Sequence, residues 1–244
     1  MKSIIICEGS TDYVLLQYFM RKAYGWKDSR KPGALREQFE IIRELEKESN
    51  SLLIGGAGGC SRIISCADYI LKVNNTSAKE DEKYTKIVVV TDRDEVTTEE
   101  DFLDKFKDVL DNRAISYPEE LVSNQWMDVV QKNGKGKDIS IKILLLIIPF
   151  EETGAMETFL LKAISDQDEY DKRIIEKGNY FVDEIDPEKR YLNKRRYITK
   201  AKFDVYFSVR TSVGQFRERQ NILKNIKWEN YTRIQNDFRE LAEL

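Results

Sequence analysis

Four β-branched residues in succession, Ile87-Val88-Val89-Val90, run directly into Thr91-Asp92-Arg93-Asp94. An unbroken apolar run of this kind suits a central parallel strand, covered on both faces by helices. The neighbouring sequence supplies partners for it. Lys2 to Cys7 is a short apolar run, and behind it Val14, Leu15, Tyr18 and Phe19 recur at helical spacing. Ser51 to Ile54 reads as a strand that passes through Gly55-Gly56-Ala57-Gly58-Gly59 into a helix marked by Ile63, Ile64, Ala67, Ile70 and Leu71. Beyond the central run, Phe102, Phe106, Val109 and Leu110 describe another helix. Residues 126 to 148 read as two strands around Asn133-Gly134-Lys135-Gly136-Lys137, and the second, Ile141 to Ile148, is apolar enough to be central. Strands alternating with helices predict an α/β fold over residues 1–165, with a mostly parallel central sheet flanked by helices. Residues 166–244 read as an all-helical, basic extension that either stands apart or packs directly on the sheet. Three stretches are less decided: 27–37, with Pro32-Gly33, reads as a loop, 38–48 suits a strand or a charged helix, and Lys72 to Lys86 reads as a polar, mobile connector.

The chain contains no histidine. Ser-His-Asp and Cys-His triads, HExxH metalloproteases and histidine-ligated zinc are therefore excluded. Cys7, Cys60 and Cys66 form no CxxC pair and fit reduced, mostly buried thiols. The longest apolar stretch, Ile141 to Phe150, is interrupted by Lys142 and is too short to span a bilayer. Met1-Lys2-Ser3 leads into no signal-peptide core. The expectation is a soluble, cytoplasmic protein with no membrane partner.

The formal charge of −3 conceals an asymmetry. Residues 187–244 carry 14 Lys and Arg against 7 Asp and Glu, whereas residues 1–186 carry 26 against 36. An acidic body that attracts cations, joined to a basic part, suits a metal enzyme acting on a polyanion.

In open α/β sheets ligands bind beyond the carboxyl ends of the strands. Here those ends carry acids: Glu8 after the first strand, Asp92 and Asp94 after the central run, and Glu157 after the Ile141 strand. Asp92 and Asp94, two residues apart, are able to point to one side. Asp12 lies one helical turn beyond Glu8, so both are able to face one pocket. Hard carboxylates so gathered suit Mg²⁺ or Mn²⁺. Each segment also has a plainer reading: EGSTD as a helix cap, DRD as a solvated turn. The Gly-rich turn at 55–59 is either a tight strand-to-helix connection or a phosphate cradle. It is not a Walker A motif, since neither Lys-Ser nor Lys-Thr follows, and Ser61 breaks the GxGxxG pattern.

Ile4-Ile5-Ile6-Cys7-Glu8-Gly9-Ser10-Thr11-Asp12 and Val88-Val89-Val90-Thr91-Asp92-Arg93-Asp94 together resemble the Toprim domain. That domain is shared by topoisomerases, bacterial primases, recombination mediators, small ribosomal-RNA maturases and the OLD (overcoming lysogenization defect) nucleases. Gly154-Ala155-Met156-Glu157-Thr158-Phe159-Leu160-Leu161 is similar to the OLD segment that supplies a further acid. The likeness covers roughly residues 2 to 165. It implies Glu8 as general acid or base and Asp92 with Asp94 as Mg²⁺ ligands. Asp12 and Glu157 become further ligands, beside Glu8, in a two-metal site of the OLD kind. It also implies a catalytic lysine, for which Lys202 or Lys200 is the candidate. A separate ATPase or a phage-defence partner would replace the ATPase half that full-length OLD proteins carry.

The expected function is therefore Mg²⁺-dependent cleavage of DNA or RNA, with Lys194, Arg195, Arg196, Lys200 and Lys202 holding the nucleic acid. Tyr191, Tyr197, Tyr206 and Phe207 interleave with these cations and are candidates for stacking on bases. Two alternatives remain: a non-catalytic nucleic-acid-binding Toprim module in a repair or defence complex, and a primase-like nucleotidyl transferase. The first gains nothing from clustered carboxylates that repel each other. The second lacks its partner domains.

Overall fold

The computed structural model describes residues 1–29, 35, 37–77, 79–211 and 223–244. Strand β5 (Tyr84–Asp92) lies between β1 (Lys2–Cys7) and β7 (Asp138–Ile148), parallel to both. β1 pairs in parallel with β4 (Asn50–Gly56) on its other side. The edges are antiparallel: β3 (Ile41–Lys47) against β4, then the short β2 (Lys27–Asp28), and at the far edge β6 (Trp126–Lys132) against β7. The resulting order is β2-β3-β4-β1-β5-β7-β6.

Successive strand side chains point to opposite faces, and both faces are apolar here. Ile5, Cys7, Val88, Val90, Leu144 and Leu146 pack beneath α1 (Ser10–Ala23) and α4 (Met156–Gln167). Ile4, Ile6, Ile87, Val89, Ile143 and Leu145 pack beneath α2 (Cys60–Thr76) and α3 (Thr98–Asn112). The protein is thus α/β, with a mostly parallel seven-stranded sheet flanked by helices.

The C-terminal helices α5 (Glu169–Glu184), α6 (Arg195–Arg210) and α7 (Thr232–Asp237) complete the first of these cores. Phe203, Tyr206, Phe207, Trp228, Ile234 and Phe238 are buried with residues of α1 and α4. The Phe238 ring meets Phe19 at 5.3 Å and Phe159 at 5.5 Å. Burying a side chain of this size contributes roughly 1.5–3 kcal/mol, so the basic C-terminal part is fastened onto the sheet's helices. Among the described residues no helix is long and apolar enough to cross a membrane.

Local readings of the sequence depart from the structure at a few places. The stretch 38–48 contains a strand, β3, whose pairing with β4 supplies the ladder partners that its charged sequence does not advertise. The connector proposed for Lys72 to Lys86 is shorter and more ordered: α2 runs on to Thr76 and β5 starts at Tyr84. Fully buried Asn74 is the reason. Its amide accepts the Tyr84 N–H at 2.7 Å and donates to the Tyr84 carbonyl at 2.8 Å, tying helix end to strand start. Asn74→Ala should therefore lower unfolding stability by about 1–3 kcal/mol, because both backbone groups stay buried without a partner. Urea denaturation measures this, and an unchanged midpoint would refute the clasp. The loop read at 27–37 begins instead with β2, Lys27–Asp28, paired to β3, and Pro32-Gly33 lies outside the described residues.

Candidate active site

The three acid-bearing strand ends meet at the carboxyl edge of the parallel strands. Glu8, Asp12, Asp92, Asp94 and Glu157 line one cleft of about 290 Å³. Hydrogen bonds through the acids lock the three ends together. Asp92 accepts the backbone N–H of Met156 at 3.0 Å, at the start of α4. Glu157 accepts the Thr11 hydroxyl at 3.0 Å, joining α4 to α1. Asp12 reaches back to the Gly9 N–H at 2.9 Å, and Thr91 offers its hydroxyl to Glu8 at 3.4 Å.

Arg93 explains why Asp92 and Asp94 share a pocket. Its side chain leaves on the other side of the chain, donating to the Pro149 carbonyl at 2.8 Å and pairing with Glu99 at 2.5 Å. Its backbone N–H binds the Ile148 carbonyl and its own carbonyl takes the Gly154 N–H. Arg93 thus holds the β7–α4 connection, and with it Glu157, against the end of β5. The sequence signal for this role was the middle position of the DRD triplet. Thr11 and Thr91 carried no such signal, being ordinary β-branched residues until the fold sets them beside the acids.

Burial without an opposing charge dominates the electrostatics. Asp12 is 4% exposed, and burial, with the Glu157 and Glu8 charges adding, pushes its carboxyl up to about 7. Asp92 is raised well above the carboxylate range, first by burial and then by Asp12, Glu8 and Glu157. Glu8 is raised by burial and by Asp94, although backbone N–H groups of Asp92 and Cys60 favour its charged form. Cys7 sits behind the acids, and burial and their charges raise its thiol. Such crowding costs energy unless something positive offsets it.

Cations line the cleft as well. Arg195, Arg196 and Lys200, from the first turns of α6, line the same cleft. Lys202 does not. Two residues beyond Lys200, and so on the other side of α6, it pairs with Asp183 of α5 at 2.8 Å and lines a neighbouring cavity. Lys194 precedes α6 as its N-cap and lies over the Tyr197 ring at 5.9 Å. Cys60 departs from the expected burial: it is exposed at the start of α2 and lines the cleft. In the Gly-rich turn, the N–H groups of Gly58 and Gly59 both bind the Glu8 carbonyl, at 3.1 and 2.9 Å. They therefore serve the strand-to-helix connection. Both residues have positive φ, 84° and 126°, which side chains other than glycine rarely adopt. Of the four interleaved aromatics, Tyr206 and Phe207 are core residues, whereas Tyr191 and Tyr197 face solvent.

Among the described residues no group of three or more Asp, Glu or Cys side chains stands ready as a metal cage. Mg²⁺ does not require one, since it usually keeps several waters and takes one or two carboxylates together with substrate phosphate. An all-oxygen donor set, with Asp12 and Glu157 buried and Asp94 open to solvent, fits such an ion.

No curated protein matches the chain. The crystal structure of hypothetical protein PH0156 from Pyrococcus horikoshii OT3 has a similar fold, with a TM-score of 0.53 and 17% sequence identity. That similarity covers 99% of this chain and 98% of the other. A family model described as "Protein of unknown function (DUF3226)" matches residues 2–241. Because that match runs almost end to end, the chain belongs to the DUF3226 family.

Proposed function

We propose that this protein is a Mg²⁺- or Mn²⁺-dependent nuclease of the Toprim kind, cleaving phosphodiester bonds in DNA or RNA. One observation carries the reading: five carboxylates at or near the strand ends line a single cleft together with Arg195, Arg196 and Lys200. Asp92 and Asp94, with Glu8, Asp12 and Glu157 around them, would hold the metal. When bound, such an ion polarises a phosphoryl oxygen and acidifies water. The protein's own groups do the remainder. Arg195 and Arg196 draw in and orient the phosphate backbone, a charge-assisted contact that their planar forks make well. Lys200, rather than Lys202, stands where a lysine meets the reacting phosphate. Glu8, whose carboxyl burial raises above its ordinary value, takes up and returns a proton as general acid and base.

Labelled DNA and RNA, incubated with the purified protein in Mg²⁺, Mn²⁺ or EDTA, test the proposal. Cleavage should require the metal, and Asp92→Asn with Asp94→Asn should slow it by about 10²-fold or more, the usual size of a lost electrostatic stabiliser. Metal-independent binding with no cleavage of any substrate would refute it in favour of a non-catalytic module.

A further inference from the structure

We infer that the nucleic acid this cleft accepts is single-stranded, and that Tyr191 and Tyr197 are the platforms on which its bases stack. The inference rests on the nucleic-acid reading of the cleft, though not on its catalysis. Tyr191 is 70% exposed and Tyr197 38%, although Tyr206 and Phe207 of the same segment found places in the core. Tyr191 does not sit on a loose loop. The Asp186 carboxylate accepts the N–H groups of Arg190, Tyr191 and Leu192 at 3.0, 2.7 and 2.7 Å, pinning the turn that presents the ring. Those same N–H groups hold Asp186 below the usual carboxylate range.

Each ring is accompanied by cations. The Arg190 guanidinium lies 5.3 Å from the Tyr191 ring centre, and Arg196 lies 5.0 Å from that of Tyr197. Arg196 also lines the acid cleft. Tyr191 is four residues upstream of Arg195, at most about 14 Å along an extended chain. Alternating cation and aromatic ring matches the alternating phosphate and base of a nucleic-acid strand. Only an unpaired strand has base faces to offer, since in a duplex they are covered by their neighbours. A second cavity, of about 430 Å³, shares Gly154, Arg195 and Thr199 with the acid cleft. Its apolar wall of Leu161, Ile175 and Ile198 suits a splayed base beside the reacting phosphate.

Fluorescence anisotropy in EDTA, with labelled single-stranded DNA and RNA and a blunt duplex of equal length, separates binding from cleavage. Single strands should bind at least about tenfold more tightly than duplex. Tyr191→Ala with Tyr197→Ala should weaken single-strand binding by about tenfold or more, as loss of base stacking does elsewhere. Both rings are exposed, so the double variant should fold, and Tyr191→Phe with Tyr197→Phe should restore binding because the ring and not the hydroxyl is used. Equal affinity for duplex, or an alanine variant binding like the parent, overturns the inference. So does capture by anionic lipid vesicles with no affinity for oligonucleotides. Tyrosine-dependent binding of single strands without any cleavage would uphold the inference and retire the nuclease proposal. Metal-dependent cutting of duplex, untouched by the alanine changes, would do the reverse.

Discussion

Millimolar Mg²⁺ or Mn²⁺ should raise the melting temperature of this protein, and Asp92→Asn with Asp94→Asn should remove most of the rise. The cause is the crowding of Glu8, Asp12, Asp92, Asp94 and Glu157 in one cleft, a cost that a bound cation offsets in the folded state alone. At a metal concentration about a hundred times the dissociation constant, mass action adds roughly 2.7 kcal/mol. For a chain of this length each kcal/mol moves the midpoint by about 2–4 °C, so the expected rise is about 5–10 °C. Differential scanning fluorimetry with and without EDTA reads it. A midpoint indifferent to millimolar metal would remove the ground for placing an ion here, whatever the nuclease assay shows.

The second large effect is one of pH. In EDTA, stability should fall as pH rises from about 4 to 7, and Asp12→Asn should abolish much of that fall. Asp12 has a folded value of about 7 against an ordinary value of 3.8. Below pH 4 both states hold the proton and the residue contributes nothing to the slope. Between the two values the folded chain keeps a proton that the unfolded chain has released. Stability then declines by about 1.4 kcal/mol per pH unit. The usual carboxylate, with a depressed folded value, behaves in the opposite sense. The full loss by pH 8 is on the order of 4 kcal/mol. Asparagine cannot ionise and keeps an oxygen for the Gly9 N–H, so Asp12→Asn should be the more stable protein at pH 8 and lose its advantage near pH 4. Asp92, raised in the same direction, should leave the variant a residual slope of the same sign. Urea midpoints at several pH values decide the matter. Parallel profiles for parent and variant would show that Asp12 ionises freely in the fold.

The amino-acid sequence by itself determined the sheet's centre and the acids at its edge. Ile4 to Cys7, Ile87 to Val90 and Ile141 to Ile148 are apolar at every position or nearly so, and only a strand covered on both faces satisfies such a run. Since parallel strands deliver their carboxyl ends to one edge, placing Glu8, Asp92, Asp94 and Glu157 together required no knowledge of side-chain packing. The remaining decisions belong to tertiary structure. Whether residues 41–47 form a strand depended on β4 offering an edge. Local pattern reports how a residue is oriented along its element, but not what the element meets. Lys200 and Lys202 look alike in the sequence. Only the packing of α6 against α5 gives Lys202 to Asp183 and sets Lys200 in the cleft. Tyr206 and Phe207 are as aromatic as Tyr191 and Tyr197, and it was the contact of α6 with the core around Trp228 that buried one pair. The other pair lay upstream, in the turn pinned by Asp186 and at the start of α6, and stayed in solvent because no described element packs over it.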